Sequence, residues 1–189
     1  AAGAIDAVEA LEDPAQVALR DPDPLVGNRD LEPTVVAPCS HLDLPTFRED
    51  LEAMAPIDLP PFRAAIEHRV AGIMLSHILY EKIDPQWPAS LSPVIARDLL
   101  RRQMGYQGVT MTDDLDMGAI VHHFDIRTVI RQIVAAEIDF ALICHKGPRI
   151  REGWDEMVAQ IRQSPELARQ SVRRILKLKQ SYLTLSPAP

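Results

Sequence analysis

The sequence predicts an α/β protein built on parallel strands, and three observations carry that expectation. Short apolar runs recur at 70–76, 109–112 and 138–144. Segments with helical apolar spacing separate them at 91–104 and 126–136. Buried runs alternating with helices of this length mark βαβ units, whose strands lie parallel because each crossover helix returns the chain to the starting end of the sheet. The third observation is size: 189 residues, 47% hydrophobic and 25% charged, suit one globular domain with a sizeable core.

Element by element, Ala4 to Leu19 has modest helical character, interrupted at Pro14. Many of the 16 prolines cluster before residue 62, in DPDPLVGNRDLEP, APCSHLDLP and APIDLPPF, against 8 glycines in the whole chain. Proline has no amide donor and disfavours helix in the residue before it, so extended loops are expected there. A short Val35-Val36-Ala37 run is a candidate strand within that region. Phe62 to His68 reads as the end of a helix, and Val70 to Ser76 as a strand buried on both faces. Leu91 to Met104 is a helix with Ser92 as N-cap, Pro93 in its first turn and Gly105 as its stop. Val109 to Thr112 is the second strand of the regular part, Ile126 to Ala136 a helix, and Ile138 to Cys144 the third strand. Trp154 to Ile161 and Leu167 to Leu178 are amphipathic helices, the latter with Leu167, Val172, Ile175, Leu176 and Leu178 near one face.

Several function classes are excluded by composition. A net charge of −7 supplies no basic field for a phosphate backbone, so nucleic acid is not an expected partner. Cys39 and Cys144 are too sparse for a disulfide framework and lack zinc-site spacing, which points to a reducing, cytoplasmic setting. No run approaches the roughly 20 apolar residues of a membrane helix, and Ala1 to Ala10 lacks a signal-peptide pattern. A soluble chain with no membrane partner is expected. It opens on Ala1 rather than methionine, which fits processing or a piece of something longer.

In parallel α/β folds the reactive groups collect beyond the carboxyl ends of the strands, where the loops converge. Those ends carry Cys39-Ser40-His41, Ser76-His77, Asp113-Asp114 and Cys144-His145. Each has a plain structural alternative. His145 and the pair His122-His123 read as ordinary structural histidines, and Asp114 and Asp116 as caps of the following helix. Asp113 is harder to dismiss, because it directly follows an apolar strand, where a carboxylate costs several kcal/mol unless compensated or used. Zinc held by His41, His77, His145 and Asp113 is a further reading, but no short-spaced ligand pair backs it; no metal and no cofactor are expected.

The segment LLRRQMGYQGVTMTDDLDM, Leu99 to Met117, resembles the nucleophile signature of family 3 glycoside hydrolases, in their β-N-acetylglucosaminidase branch. Flanking pieces agree in order: HLDLPTF, LPPFRAAI, GIMLSHILY, IDPQWPASLSP, IDFALICH and QSVRRILKLK, so the resemblance runs from about His41 to Tyr182. It implies a (β/α)₈ barrel fold and retaining hydrolysis of terminal β-linked N-acetylglucosamine, with cell-wall-derived amino-sugar saccharides as substrate. By the same resemblance Asp113 is the nucleophile and His41 the acid/base. Arg29, His77 and Met117 are the expected substrate-binding residues. Trp87 is a candidate for stacking on a sugar or for hydrophobic cover.

Two departures from the family pattern stand out. The family's Asp-Ser-His triplet is here Cys39-Ser40-His41, so a neutral thiol replaces the carboxylate that would orient the histidine. In the serine-protease triad, neutralising the equivalent aspartate costs on the order of 10⁴ in rate, and a comparable loss is expected here unless Asp43 substitutes. The family's Lys-His-Phe-Pro-Gly-His-Gly motif is missing, and Arg29 and His41 lie too close for a strand-helix unit between them. A complete barrel needs about 200–250 residues. The expected architecture is therefore a partial (β/α)₈ barrel: residues 1–40 a loop-rich remnant of the first half, 41–189 the C-terminal half. Its unpaired edges and exposed inner face would call for self-association or a partner chain. A catalytically degenerate relative, serving as a sugar-binding or association module, is the alternative.

Overall fold

A computed structural model describes residues 44–183. Readings that fall on 1–43, including the Val35–Ala37 strand, the loop-rich segment, Arg29, Cys39, His41 and Asp43, lie outside the described residues. The elements run β1 (Thr46–Phe47), α1 (Leu51–Met54), α2 (Leu59–Glu67), β2 (Gly72–Leu75), β3 (Leu79–Tyr80), a 3₁₀ turn (Ala89–Leu91), a π-helix (Val94–Gln103) and β4 (Val109–Asp114). They continue with α3 (Gly118–Val121), α4 (Ile126–Ala135), β5 (Phe140–Leu142), α5 (Pro148–Gln163) and α6 (Pro165–Leu183).

The expected parallel α/β arrangement is present. β2, β4 and β5 form one parallel sheet in the order β2–β4–β5, with Gly72 opposite Val109 and Leu75 opposite Thr112. β1 and β3 form a separate two-stranded parallel pair that the apolar pattern does not announce, because two residues carry no periodicity.

Side chains alternate across the central sheet, and its two faces differ. Ile73 and Leu75 turn inward and join Leu91, Leu100, Leu115, Ile120 and the α4 residues Val129, Ile130 and Ile133 in the core. Met74, on the opposite face, is 52% exposed, and Phe140, which pairs with Met111 on that face, is 37% exposed. The β2 run is thus covered on one face only among the described residues, not on both as its unbroken apolar run predicts. On α6 too the expected stripe divides: Leu167, Ile175 and Leu178 are half-buried, whereas Val172 and Leu176 are exposed.

Ser92 caps as expected. Its Oγ accepts the Ile95 amide at 3.1 Å and donates to the buried Asp84 carboxylate at 2.6 Å, while Asp84 also takes the amides of Gln86 and Trp87. The helix it opens is wound as a π-helix, a feature the apolar spacing does not reveal. Gly105, with φ +74°, ends it in the left-handed region that glycine tolerates. Gly108 answers a different need: a Cβ there would collide with the Tyr106 ring, whose hydroxyl donates to the Val109 carbonyl at 2.9 Å. Burial pushes that hydroxyl up to about 12.

Two polar clamps tie the sheet to its surroundings. At the amino end of β4 the fully buried Asp139 carboxylate receives Arg101 at 2.8 Å, Arg174 at 2.8 Å and the Thr110 amide at 2.9 Å. Arg101 also donates to the carbonyls of Gly108 and Glu137. At the carboxyl end His77, 4% exposed, bonds Ser90 Oγ at 2.6 Å and the Asp114 carbonyl at 2.9 Å.

Each clamp yields an expectation for stability. Arg101→Met leaves Asp139 with one cationic partner and is expected to cost about 3–5 kcal/mol, the range for breaking a buried ion pair. Urea unfolding measures it, and a loss below about 1 kcal/mol, the range of an exposed pair, would contradict the burial argument. Burial holds the His77 imidazole below its ordinary 6.5, so the unfolded chain binds a proton that the folded chain resists. Its contribution is complete above pH 6.5 and is lost progressively as pH falls below that value toward the lower pKa of the folded state. Denaturant titrations on either side of this pH are expected to show a falling acid limb that His77→Gln flattens. Equal slopes in the two proteins would oppose the assignment.

Candidate functional site at the carboxyl end of the sheet

β4 delivers three carboxylates within four residues, Asp113, Asp114 and Asp116, and local geometry separates their roles. The two neighbours of β4 end differently. Pairing with β2 is regular to Thr112, whereas β5 advances two residues, Phe140 to Leu142, while β4 advances three, Met111 to Asp114. The extra residue makes a bulge on β4, the kind of irregularity that bends a strand and re-aims a side chain. Thr112 Oγ1 accepts the Leu142 amide at 3.0 Å, so a side chain supplies the acceptor where the ladder is interrupted.

Asp113 sits at this bend, half-buried, on the face shared with Met74 and Met111 by alternation. Its Oδ1 accepts the amide of Asp114 at 2.8 Å. Among the described residues it carries no ion pair, and Oδ2 has no hydrogen-bond partner. The carboxylate is therefore oriented through one oxygen and left open at the other, an arrangement suited to attack on an electrophile or to accepting a ligand's donor.

Asp114 and Asp116 are occupied by the following loop. Asp114 Oδ1 accepts the amides of Asp116 at 3.0 Å and Cys144 at 3.1 Å. Asp116 accepts the His145 amide at 3.2 Å and the Arg149 guanidinium at 3.1 Å. Arg149 also donates to the Leu115 carbonyl at 3.2 Å. The two carboxylates thereby fasten the loop after β5 to the loop after β4. Neither caps the next helix through its side chain as expected: Met117 occupies the N-cap position of α3, and its amide donates to the Asp114 carbonyl at 3.1 Å.

Among the described residues one group brings possible cation ligands together: Asp114, Asp116 and His145 have ligand atoms within 4.8 Å of one another. The donor set does not fit one well, because Arg149 already lies against Asp116 and three backbone amides occupy the carboxylate oxygens. The zinc set of His41, His77, His145 and Asp113 does not assemble among the described residues. His145 is exposed beside Asp114 and Asp116 rather than Asp113, and both nitrogens of His77 are engaged inside the protein.

The expected substrate-binding residues fare differently. His77 lies at the right strand end but presents no free nitrogen to a ligand; its bonds run to protein groups that the spacing of Ser90 and Asp114 did not disclose. Met117 is half-buried directly after the carboxylate cluster. Trp87 packs on Phe124 with ring centroids 5.3 Å apart and borders the core, so its place is hydrophobic cover.

Comparison with known proteins gives this geometry a family. Residues 35–178 match the glycosyl hydrolase family 3 N-terminal domain. The chain is 35% identical over 122 residues to a beta-hexosaminidase of Thiobacillus denitrificans, covering 65% of this chain and 33% of that protein. It is 30% identical over 140 residues to a beta-hexosaminidase of Aromatoleum aromaticum, covering 74% and 37%. In structure it resembles a family 3 beta-N-acetylglucosaminidase from a Paenibacillus species, with a TM-score of 0.73 and 34% identity over 79% of this chain and 29% of that one. The chain spans about a third of the length of the curated relatives it matches. With the match extending over most of its sequence and its sheet, the chain belongs to glycosyl hydrolase family 3.

Proposed function

We propose that this chain carries the nucleophile-bearing part of a retaining β-N-acetylglucosaminidase, with Asp113 as the nucleophile. The observation that carries the reading is the Asp113 carboxylate itself: at the carboxyl end of the central strand, beside a bulge, one oxygen fixed and the other open. The beta-hexosaminidase and beta-N-acetylglucosaminidase activities named for the relatives supply the substrate class. In the same reading the three-stranded sheet and its helices are the C-terminal portion of a (β/α)₈ barrel. Parallel order, helices on one face and exposed Met74 and Phe140 on the other support it. A second chain, or the remainder of a longer one, covers that open face.

The mechanism has two displacements. Asp113 Oδ2 donates an electron pair to the anomeric carbon while the bond from that carbon to the aglycone oxygen breaks. His41, entering as the imidazolium, gives its proton to the departing oxygen. A glycosyl ester on Asp113 results, and His41 is left neutral. Water then attacks the same carbon, His41 takes its proton, and the carboxylate of Asp113 departs unchanged. The sugar leaves with its original anomeric configuration because the carbon inverts twice. Asp114 has no part in bond making; it holds the Cys144 loop in place. Cys39, standing where the family has an aspartate, orients the ring and stabilises the imidazolium less than a carboxylate would, which leaves less of His41 protonated for the first displacement and makes it a weaker base toward water in the second.

Incubation with a 5-fluoro N-acetylglucosaminyl fluoride, followed by peptide mass spectrometry, tests the assignment. The expected result is one glycosyl adduct on Asp113, with Asp113→Asn lowering labelling by at least about 10³-fold, as loss of a nucleophile does elsewhere. Asp114→Asn is expected to retain labelling within about tenfold, the scale of a small geometric disturbance. Label on Asp114 or Asp116 instead of Asp113 would overturn the reading.

A further inference from the structure

Three hydrogen bonds connect a buried serine to the Asp113 carboxylate. Ser90, fully buried in the 3₁₀ turn Ala89–Leu91, meets His77 Nδ1 through its hydroxyl at 2.6 Å. His77 Nε2 meets the Asp114 carbonyl at 2.9 Å. The Asp114 amide donates to Asp113 Oδ1 at 2.8 Å. A carbonyl oxygen can only accept, so Nε2 must carry the proton. In the neutral ring this leaves Nδ1 as an acceptor and makes the Ser90 hydroxyl its donor. The serine is itself fixed, since its amide donates to the Ser76 carbonyl at 3.0 Å.

We infer that His77, with Ser90 behind it, is a positioning residue for Asp113: it fixes the Asp114 backbone unit whose amide orients the Asp113 carboxylate. The need for such a device follows from the sheet. Beyond Thr112, β4 has lost regular pairing with β2, and on the other side the bulge interrupts pairing with β5. On the β5 side the Leu115 amide still reaches the Leu142 carbonyl at 2.8 Å, and the Met117 amide reaches the Asp114 carbonyl at 3.1 Å, so His77 supplies the tie from the β2 side, where the ladder has ended; a carboxylate whose backbone shifts loses the alignment that rapid attack requires. His77 is well suited to the task. It extends from the end of β2, the neighbouring strand, its ring is rigid, and burial removes water that would compete for the Asp114 carbonyl. This assigns His77 a role through the nucleophile rather than through contact with sugar.

The inference rests on the reading of Asp113 as nucleophile, and a pair of measurements separates the two. Stopped trapping with the 5-fluoro glycosyl fluoride yields a limiting rate and a half-saturating concentration. His77→Phe, which keeps a ring and removes the donor, is expected to lower the limiting rate about 10–100-fold, the scale of a small misplacement of a reacting group. Its half-saturation is expected within about threefold of the parent, as for a group that does not bind sugar, and its melting temperature is expected to fall modestly, because the Ser90 hydroxyl and the Asp114 carbonyl each lose a buried partner. His77→Gln, which restores an N–H at the reach of Nε2, should recover the limiting rate to within about threefold, because one suitably placed donor is all the role requires. An unchanged limiting rate in His77→Phe, or a loss confined to half-saturation, would overturn the inference. If the parent protein takes no label, the nucleophile reading fails, and ¹H–¹⁵N spectra still decide the positioning claim. The Asp114 amide should shift in His77→Phe and return in His77→Gln; an amide resonance unmoved by His77→Phe would refute it.

Discussion

β4 is anchored at both ends by buried polar groups, and the placement of the candidate nucleophile depends on that double anchorage. At its amino end, Asp139 lies between Arg101 and Arg174 and takes the Thr110 amide as well. A buried carboxylate is tolerable only with such complete partnering, and any slip of the strand would break several of these bonds together. A one-residue slip also exchanges the faces of a strand. Here it would carry Asp113 to the helix-covered side, where Thr110 and Thr112 now sit. Register and reactivity are therefore set by the same contacts.

The three carboxylates after Thr112 are chemically alike, and their surroundings make them different. Asp114 and Asp116 have their oxygens engaged by backbone amides, Arg149 and the exposed His145, so they serve as struts between two loops. Asp113 is held through one oxygen by the next residue's amide, and among the described residues the other has no hydrogen-bond partner. The register shift between Met111 and Asp114 accompanies this difference, with the Asp114 carboxylate reaching the Cys144 amide in the loop after β5. Fixing the struts costs nothing at the moment of reaction, which is the value of an organised site over a flexible one.

Local signals in the sequence were dependable where the chemistry is local. Ser92-Pro93 marks the cap seen at the Ile95 amide, Gly105 marks the left-handed stop, and Asp113 after an apolar run marks the strand end. What lay hidden was long-range. His77 was visible as a polar residue at a strand end, but its partners lie 13 and 37 residues away, one of them a backbone carbonyl without any sequence signature. Arg174 carries no signal of its own in the helix pattern, yet it reaches the buried Asp139. The α5 helix begins at Pro148 rather than at Trp154, with proline in the first turn, where its missing amide costs nothing. The π winding of Val94–Gln103 has no signature in its apolar spacing, because ten residues are too few for that spacing to separate π from α winding.

If Asp113 is the nucleophile, its second carboxylate oxygen is the atom that the strand, the bulge and the His77 tie hold in place. A crystal structure with bound N-acetylglucosamine tests this most directly. The anomeric carbon is expected to lie roughly 3–3.5 Å from Asp113 Oδ2, the separation of a near-attack arrangement, with His77 still bonded to Ser90 and the Asp114 carbonyl. A sugar bound elsewhere, or an Asp113 carboxylate turned toward the helices and paired there, would contradict it.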